Sequence, residues 1–201
     1  RVAARAMRLA AELGRADLAP DLARLADGGD PDLRFRAAWA AALLGDRRTA
    51  PTILSAHVTP ATPAPQARMA AELLPLVLDD RAARAAIARL MSDRLTERWG
   101  IVATAALGAA DTLDWLLRQM AEPVLSRVSG AAFCRITGYL RSEIIGRNTR
   151  FLRSGLQTSE FYADMWRGLI RDGVWQGELW NRKKNGELFA QLGNISAVRN
   201  E

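Results

Sequence analysis

The sequence offers few residues for covalent or metal chemistry. Cys134 and His57 are the chain's one cysteine and one histidine, which excludes an internal disulfide framework and a Cys/His metal cage. Cys134 lies in an apolar helical segment with no histidine near it in sequence, where a cysteine is more often a small buried hydrophobe than a nucleophile. His57 falls in a proline-rich loop, where we expect it to be solvated. These residues predict neither a nucleophilic site nor a metal site.

The acidic residues and the glycines show no catalytic spacing. Carboxylates such as Glu12, Asp17 and Glu72 are not paired in a way that singles out general acid–base work. The glycines match neither of the phosphate-binding patterns G-x-x-x-x-G-K-S/T and G-x-G-x-x-G. We therefore expect no catalytic residues and no enzymatic activity.

The composition is that of a basic globular chain. The net charge of +6 could by itself indicate nucleic-acid binding. Because the arginines are spread among alanines and acids along helical segments, solvated helix faces are the better interpretation, and no nucleic-acid partner is expected. There is no run of about 18 apolar residues, so no membrane span is expected. A single cysteine fits a reducing compartment, which predicts a cytoplasmic protein.

The elements that must position any site begin with an alanine-rich helical region, residues 1–129. Leu-Gly pairs ending at Gly14, Gly45 and Gly108 close three apolar runs, 31 and then 63 residues apart, the second spacing being about twice the first. A glycine just past a helix supplies the left-handed C′ position. A period of this size in helix pairs predicts an α-solenoid. The predicted second helices of the pairs are Leu18–Leu25, Ala50–Leu54 and Leu113–Met120.

Two segments mark the joints of this predicted array. Gly28-Gly-Asp-Pro31 predicts a helix stop, an aspartate N-cap and a proline at the first helical position. The Leu-Gly pair expected near position 76 is replaced by Leu74-Pro75-Leu76. Ahead of it, Thr59–Pro65 predicts a stiff polar loop that interrupts the array.

Residues 1–129 resemble HEAT-type repeats, and the segment Phe35–Asp46 is more closely similar to a bacterial HEAT-like family of unassigned function. This resemblance implies helical hairpins that bind protein partners on a concave face. It implies no chemistry.

After Gly130 the pattern changes from helices alone to helix and hairpin. Val174–Arg182 and Glu187–Val198 are predicted strands, joined by Asn185-Gly186, a pair typical of a type I′ turn. A helix is predicted to open at Thr158 and to end at Gly173. Its broad apolar stripe is either the wall of a ligand pocket or a face packed on the sheet, and we favour packing. The stripe combines two rows of residues spaced by four: Phe161, Met165 and Leu169, and Tyr162, Trp166 and Ile170.

This last third of the chain resembles a PAS domain, a small sensory module of bacterial signalling proteins. Such a domain opens with two strands ahead of the helix at Ala132–Thr137 and closes with a third strand after the hairpin, and these strands are missing. The resemblance implies an incomplete PAS α+β unit with one antiparallel hairpin at residues 130–201, in a mostly α chain. The motifs that carry it, in order, are Ala132-Phe133, Ile136–Tyr139, Ser142–Asn148, Arg150–Leu152, Ser154-Gly155, Phe161-Tyr162, Trp166, Trp175–Glu178, Trp180–Phe189 and Ile195-Ser196.

Flavin-binding, light-sensing PAS relatives suggest where a cofactor would lie. The resemblance implies that Asn148, Arg150, Asn181 and Gln191 are cofactor-binding residues. Those relatives, however, carry an asparagine at the place of Gln191 and a glutamine at the place of Arg153. Thr149 stands where they carry a photoreactive cysteine, and a hydroxyl cannot form the thiol adduct with flavin. We therefore expect no flavin or other PAS ligand, and we expect Asn148 to cap a turn through its side chain.

One helix, Ser129–Gly138, serves both modules without a linker between them. It can close the solenoid, or it can be the first helix of the PAS unit. The joint is either a genuine fusion that replaced the opening PAS strands or a chimera. We favour a chimera, because a two-stranded hairpin alone is marginal in water.

Together these features predict a non-catalytic bacterial fragment for signal transduction and protein interaction, with a helical-repeat scaffold joined to the remnant of a PAS sensor. Its expected partners are proteins on the solenoid face, with a dimer through the PAS part as a further contact. The alternative is a HEAT-like adaptor that acts through the solenoid alone, with the PAS-like tail as a passive cap or a chimeric artefact.

Overall fold

Helices predominate in the computed structural model, which describes residues 2–197. The chain divides into two units, Arg1–Leu107 and Gly108–Glu201. The predicted boundary between residues 129 and 130 separates two sequence resemblances and stays a prediction. The predicted strand end at Val198 lies outside the described residues.

The described part of the first unit is built from helices alone. Its largest buried cluster surrounds Phe35 and Leu54, and a second cluster joins Met7 and Leu22 to the alanines of the third helix. Alanine lets these helices approach closely, because its side chain adds little bulk between the helix axes. The α-helices are α1 (Val2–Glu12), α2 (Ala19–Ala26), α3 (Pro31–Leu43), α4 (Ala50–Ala56), α5 (Ala64–Val77), α6 (Asp80–Met91) and α7 (Glu97–Leu107), with a 3₁₀ helix at Ala16–Leu18.

The predicted helix ends of this region are confirmed. Gly14, Gly45 and Gly108 follow α1, α3 and α7 with positive φ angles of 65°, 103° and 74°. Asp30 is the N-cap of α3, and its Oδ1 accepts hydrogen bonds from the backbone N–H groups of Asp32 (2.9 Å) and Leu33 (3.2 Å). These contacts satisfy N–H groups that have no partner within the helix.

The proline-rich joint is shorter than predicted. Pro63 is the N-cap of α5, so that Pro65 lies in the first helical turn instead of in the loop. Proline is tolerated there because its missing N–H would have had no partner within the helix. Pro75 lies inside α5 near its C-terminal end, and the helix continues to Val77.

The second unit combines short helices with one hairpin. Its buried side chains include Phe133, Ile136, Leu152, Leu169 and Phe189. The elements are a 3₁₀ helix at Ala110–Thr112, α8 (Leu113–Gln119), α9 (Ser126–Thr137), α10 (Arg141–Ile144), a 3₁₀ helix at Thr149–Leu152, α11 (Ser159–Asp172), β1 (Val174–Arg182) and β2 (Leu188–Ser196).

The antiparallel hairpin is confirmed, and β1 has the predicted bounds. The register runs from Val174 opposite Ser196 to Arg182 opposite Leu188. Strand β2 begins at Leu188, one residue later than predicted, and ends at Ser196, before the predicted end at Val198. Among residues 2–197, β1 and β2 form the one sheet, so no further PAS strand is present in the described part of the chain.

The predicted type I′ turn is wrong. A type I′ turn needs positive φ at both central residues, and of Asn185 and Gly186 only Gly186 has one, at 92°. The Lys183 N–H donates to the Glu187 carbonyl (2.9 Å), which closes a three-residue loop. Within it, the Gly186 N–H donates to the Lys183 carbonyl (3.0 Å), and Gly186 lies in the left-handed region. Asn185 keeps a negative φ, and its Oδ1 accepts from the N–H of Glu187 (3.1 Å).

The hairpin is better buried than we expected from the missing strands. Its two faces alternate, and Phe189, Gln191 and Gly193 on the inner face of β2 are buried. Helix α11 packs against β1, and the 3₁₀ helix at 110–112 and α8 pack against β2. Residues 110–119 precede the PAS-like segment, so burial of the hairpin draws on helices that the sequence assigned to the repeat region.

Candidate functional site

The candidate site is the inner face of the hairpin, because the residues that the PAS resemblance assigns to a cofactor include two on that face. Alternate residues of each strand point to one side. The same face therefore carries apolar, amide and glycine positions. Its members are Trp175, Gly177, Leu179 and Asn181 on β1, and Phe189, Gln191, Gly193 and Ile195 on β2.

A pair of glycines forms the centre of this face. Gly177 lies directly opposite Gly193 in the register. The indole of Trp175 lies over both, since an added Cβ would lie 2.7 Å from Trp175 Cη2 at Gly177 and 3.1 Å from Trp175 Cζ3 at Gly193. The missing side chains of the two glycines thus make room for the indole, and the indole occupies the centre of the face.

Helix α11 supplies the neighbour of this indole. Phe161 and Trp175 meet edge to face, with ring centroids 6.1 Å apart and planes at 87°. This geometry is one that aromatic pairs prefer. The helix opens at Thr158, as predicted, and Thr158 caps it by accepting a hydrogen bond from the Phe161 N–H (3.3 Å).

The broad apolar stripe predicted for α11 divides into two. Met165 and Leu169 are buried and Phe161 is half-buried, whereas Trp166 and Ile170 are exposed. The row that begins at Phe161 therefore packs in the interior, which supports the packing interpretation of that row.

Two of the four predicted cofactor residues are brought together. Asn181 Nδ2 donates to Gln191 Oε1 (3.1 Å), and the side chain of Gln191 is buried. The two residues are diagonal neighbours on one face, two positions apart in the register. Each amide is thereby engaged with the other.

The other two predicted residues lie on an exposed 3₁₀ helix. Asn148 is the N-cap of the helix at 149–152, and its Oδ1 accepts from the N–H of Arg150 (3.0 Å). The side-chain cap expected at Asn148 is therefore present. Asn148, Thr149 and Arg150 are all exposed. Arg150 is placed by the 3₁₀ helix, while Asn181 and Gln191 are placed by the hairpin.

The segment after this 3₁₀ helix lies along the second edge of β1. Arg153 forms an isolated antiparallel bridge with Asn181, and the Ser154 N–H donates to the Trp180 carbonyl (3.3 Å). The guanidinium of Arg182 donates to the Ser154 carbonyl. Arg153 also lies 4.0 Å above the ring centre of Tyr162, within cation–π range. Backbone and arginine contacts thus fix the chain beside the amide pair.

Two lysines anchor the hairpin loop. The N–H of Lys184 donates to the Thr137 carbonyl at the end of α9 (2.9 Å), and Lys184 Nζ contacts both carboxylate oxygens of Glu143 at 2.7 Å. This ion pair lowers the pKa of Glu143. Lys183 contacts Glu187 at 2.7 Å and lowers the pKa of that carboxyl in the same way. The loop and α9 enclose a shallow cleft of about 420 Å³.

The remaining candidate chemistry gives no assembled site in residues 2–197. Cys134 is half-buried, and this burial raises the pKa of its thiol, which opposes formation of the reactive thiolate. No group of three or more His, Cys, Asp or Glu side chains among the described residues could hold a metal ion. Every helix in the described part of the chain falls short of the length and hydrophobicity needed to cross a bilayer.

The first unit carries an apolar groove between α4, α5 and α6. It has a volume of about 990 Å³ and is open to solvent along one side. Arg89 of α6 donates to Ser55 Oγ of α4 (3.1 Å). The groove is lined mostly by small and aliphatic side chains, among them Pro51, Ala56, Leu74, Leu78, Ala82 and Ala85.

Comparison with known proteins concerns the second unit. The PAS domain family matches residues 130–201. Nitrogen fixation regulatory proteins of Klebsiella oxytoca and Klebsiella pneumoniae are each 36% identical over 69 residues, which is 34% of this chain and 14% of each relative. The bacterioopsin transcriptional activator of Halobacterium salinarum is 33% identical over 70 residues, which is 35% of this chain and 10% of the relative. No solved structure matches.

The chain thus spans about a seventh or less of the length of these relatives.

The glycine pair under Trp175 was not predicted from the sequence, although the order Trp-Gln-Gly was visible. A pair of residues that face each other across two strands can be recognised only when the strand register is known. The motif order, the confirmed hairpin and the relatives agree with one another. A PAS domain at residues 130–201 is therefore supported by the family match and by the relatives.

Proposed function

We propose that this chain is a non-catalytic, cytoplasmic bacterial signalling segment, in which a PAS sensor portion works through protein contacts and not through a bound cofactor. The observation that carries the proposal is the occupied inner face of the hairpin. There, Trp175 fills the space over Gly177 and Gly193, and Asn181 and Gln191 bond to each other. Two of the four side chains expected to hold a cofactor, Asn181 and Gln191, are thus engaged with each other.

The relatives support a regulatory role. Two are named nitrogen fixation regulatory proteins and one a transcriptional activator. Their similarity to this chain lies in the PAS segment. We therefore assign the regulatory part of the function to residues 130–201, with the helices of the first unit as a HEAT-like scaffold for protein partners.

The outer face of the hairpin is the surface we propose for contact with a second PAS copy. Leu192 is 78% exposed there, and so are Leu188 and Trp180, the latter opposite Ala190 between the two leucines. Exposed aliphatic side chains on a strand face favour association with another apolar surface. An isologous contact between two copies would cover the same patch on both.

The test is self-association of the full chain. Leu192→Lys should lower the fraction of dimer in sedimentation velocity at equal protein concentration, because it places two charges at the contact. The matched control is Leu95→Lys in the first unit, where the leucine is 70% exposed. The proposal of a PAS dimer fails if both variants and the parent chain show the same sedimentation at every concentration.

A second candidate is an adaptor that works through the helices of the first unit alone. The groove between α4, α5 and α6 favours it, since an apolar groove accepts the apolar face of a partner helix. Ala85→Arg would fill the groove without touching the hairpin. If partner binding is lost in Ala85→Arg and unchanged in Leu192→Lys, the adaptor function is the correct one.

A further inference from the structure

The first helix of the chain exposes an apolar stripe. Val2, Leu9 and Leu13 are 84%, 54% and 66% exposed, and Ala6 between them is also exposed. Their positions i, i+4, i+7 and i+11 lie on one face of a helix. The adjoining side of α1 is used already, since Met7 and Ala10 are buried. Helix α1 therefore has two apolar sides, of which one is covered.

The same positions are buried one repeat later. The Leu-Gly period of 31 residues moves the stripe to Leu33, Ala37, Ala40 and Leu44. Ala37 and Ala40 are fully buried, and the two leucines are half-buried. What covers them is the preceding helix pair, because they share a cluster with Met7 of α1 and with Leu22 and Ala26 of α2.

Helix α7 repeats this arrangement. Its Leu-Gly end lies 94 residues after that of α1, which moves the stripe to Thr96, Gly100, Ala103 and Leu107. Here too the preceding pair covers the face. Thr96 Oγ1 donates to the Leu90 carbonyl of α6 (2.9 Å), and an added Cβ at Gly100 would lie 2.6 Å from Met91 Cγ.

We propose that Val2, Ala6, Leu9 and Leu13 form a docking stripe for one further helix pair with the chemistry of α1–α2, namely a hairpin that presents leucine, methionine and alanine along one face. The proposal rests on the proposed repeat architecture. It continues an interface that occurs in the structure, since α3 receives α1–α2 through the same positions.

A second copy of the chain is the weaker occupant. Helix α1 has 11 residues and is about 16 Å long. The stripe of so short a helix offers little of the roughly 1,200 Å² that a stable protein–protein interface buries. A helix pair that is covalently joined to α1 does not have this requirement, because the linkage raises its effective concentration at the stripe.

The experiment supplies such a helix pair in register. A copy of residues 1–31 is fused directly ahead of Arg1, so that its Asp30 can cap the extended α1 with Pro31 at the first helical position, as in α3. We expect the backbone amides of α1 to exchange with solvent at least about tenfold more slowly than in the parent chain. We also expect a higher thermal midpoint. If amide exchange in α1 is the same with and without the added pair, the proposal is wrong. If exchange in α3 and α7 also stays the same, the proposed repeat architecture is not affected by that failure.

A substitution separates docking from a general effect of the longer chain. In the extended chain, Leu9→Lys should abolish the slower amide exchange of α1 and the higher thermal midpoint. In the parent chain it should change neither quantity, because Leu9 is exposed there. Leu95→Lys is the matched control and should leave the gain in place, since Leu95 lies outside the stripe. If Leu9→Lys instead lowers self-association of the parent chain, the occupant is a second copy and the proposal is wrong.

Discussion

At the scale of single residues, the site depends on two glycines, which have no side chain, as much as on the large side chain of Trp175. Gly177 and Gly193 face each other across the hairpin, and the indole of Trp175 lies in the space they leave. Phe161 then packs edge to face on the same indole. The glycines are therefore required by packing, and neither has a positive φ.

Substitution of the glycine tests this packing. Gly177→Ala should lower the free energy of unfolding by about 1–3 kcal/mol, because the new methyl group overlaps the indole and forces it to move. The measurement is urea unfolding followed by far-UV circular dichroism. The matched control is Gly130→Ala in α9, where an added Cβ meets nothing within 4 Å and helix propensity should raise stability by about 0.5–1 kcal/mol. Equal stability of Gly177→Ala and the parent chain would contradict the packing described.

Some residue roles could be predicted from sequence and others could not. The caps at Asp30, Asn148 and Thr158 were predictable, because a cap acts over two or three neighbouring residues. The bond between Asn181 and Gln191 was not predictable, because it depends on the strand register. The resemblance placed both residues at a cofactor, while the structure shows them bonded to each other.

At the scale of elements, the hairpin is fixed to the helices by its loop. Lys184 contacts Thr137 through its backbone and Glu143 through its side chain. The pair with Lys184, followed by the N–H of Leu140, lowers the pKa of Glu143. Because this pKa is lower in the folded chain, the stabilisation is present above the ordinary glutamate value and is lost as the pH falls through the lowered value.

Removal of the lysine charge should change one carboxyl and not its neighbour. In Lys184→Met, the pKa of Glu143 measured by NMR titration should rise toward the ordinary value. Lys183→Met is the matched control, which should raise the pKa of Glu187 and leave that of Glu143 in place. If Glu143 titrates identically in the parent chain and in Lys184→Met, this anchor does not exist in solution.

Element bounds were largely predictable because local signals set them. Glycines ended α1, α3 and α11, and alternation gave β1 with both of its ends. The predicted turn type was wrong because Asn185 keeps a negative φ, with its Oδ1 accepting from the N–H of Glu187. Only Gly186 has the positive φ that a type I′ turn needs at both positions. The division of the α11 stripe was not visible in its spacing, since the count of buried positions depends on what packs beside the helix.

At the scale of the whole molecule, different observations support the roles proposed for the two units. The second unit contains the PAS match, and its hairpin is buried partly by residues 110–119 ahead of that match. This packing removes the physical reason for favouring a chimera, which was a hairpin left without a core. The first unit contains the periodic helix ends and the stripe on α1, on which the proposed scaffold depends.

The central claim is that side chains of the protein, and not a bound cofactor, occupy the inner face of the hairpin. The most direct test is a titration of the full chain with flavin mononucleotide, followed by the side-chain amide signals of Asn181 and Gln191 and the indole signal of Trp175 in NMR spectra. We predict that none of these signals shifts in a saturable way. Saturable shifts of all three signals at stoichiometric flavin would contradict the account, because the cofactor would then occupy the space assigned to the indole.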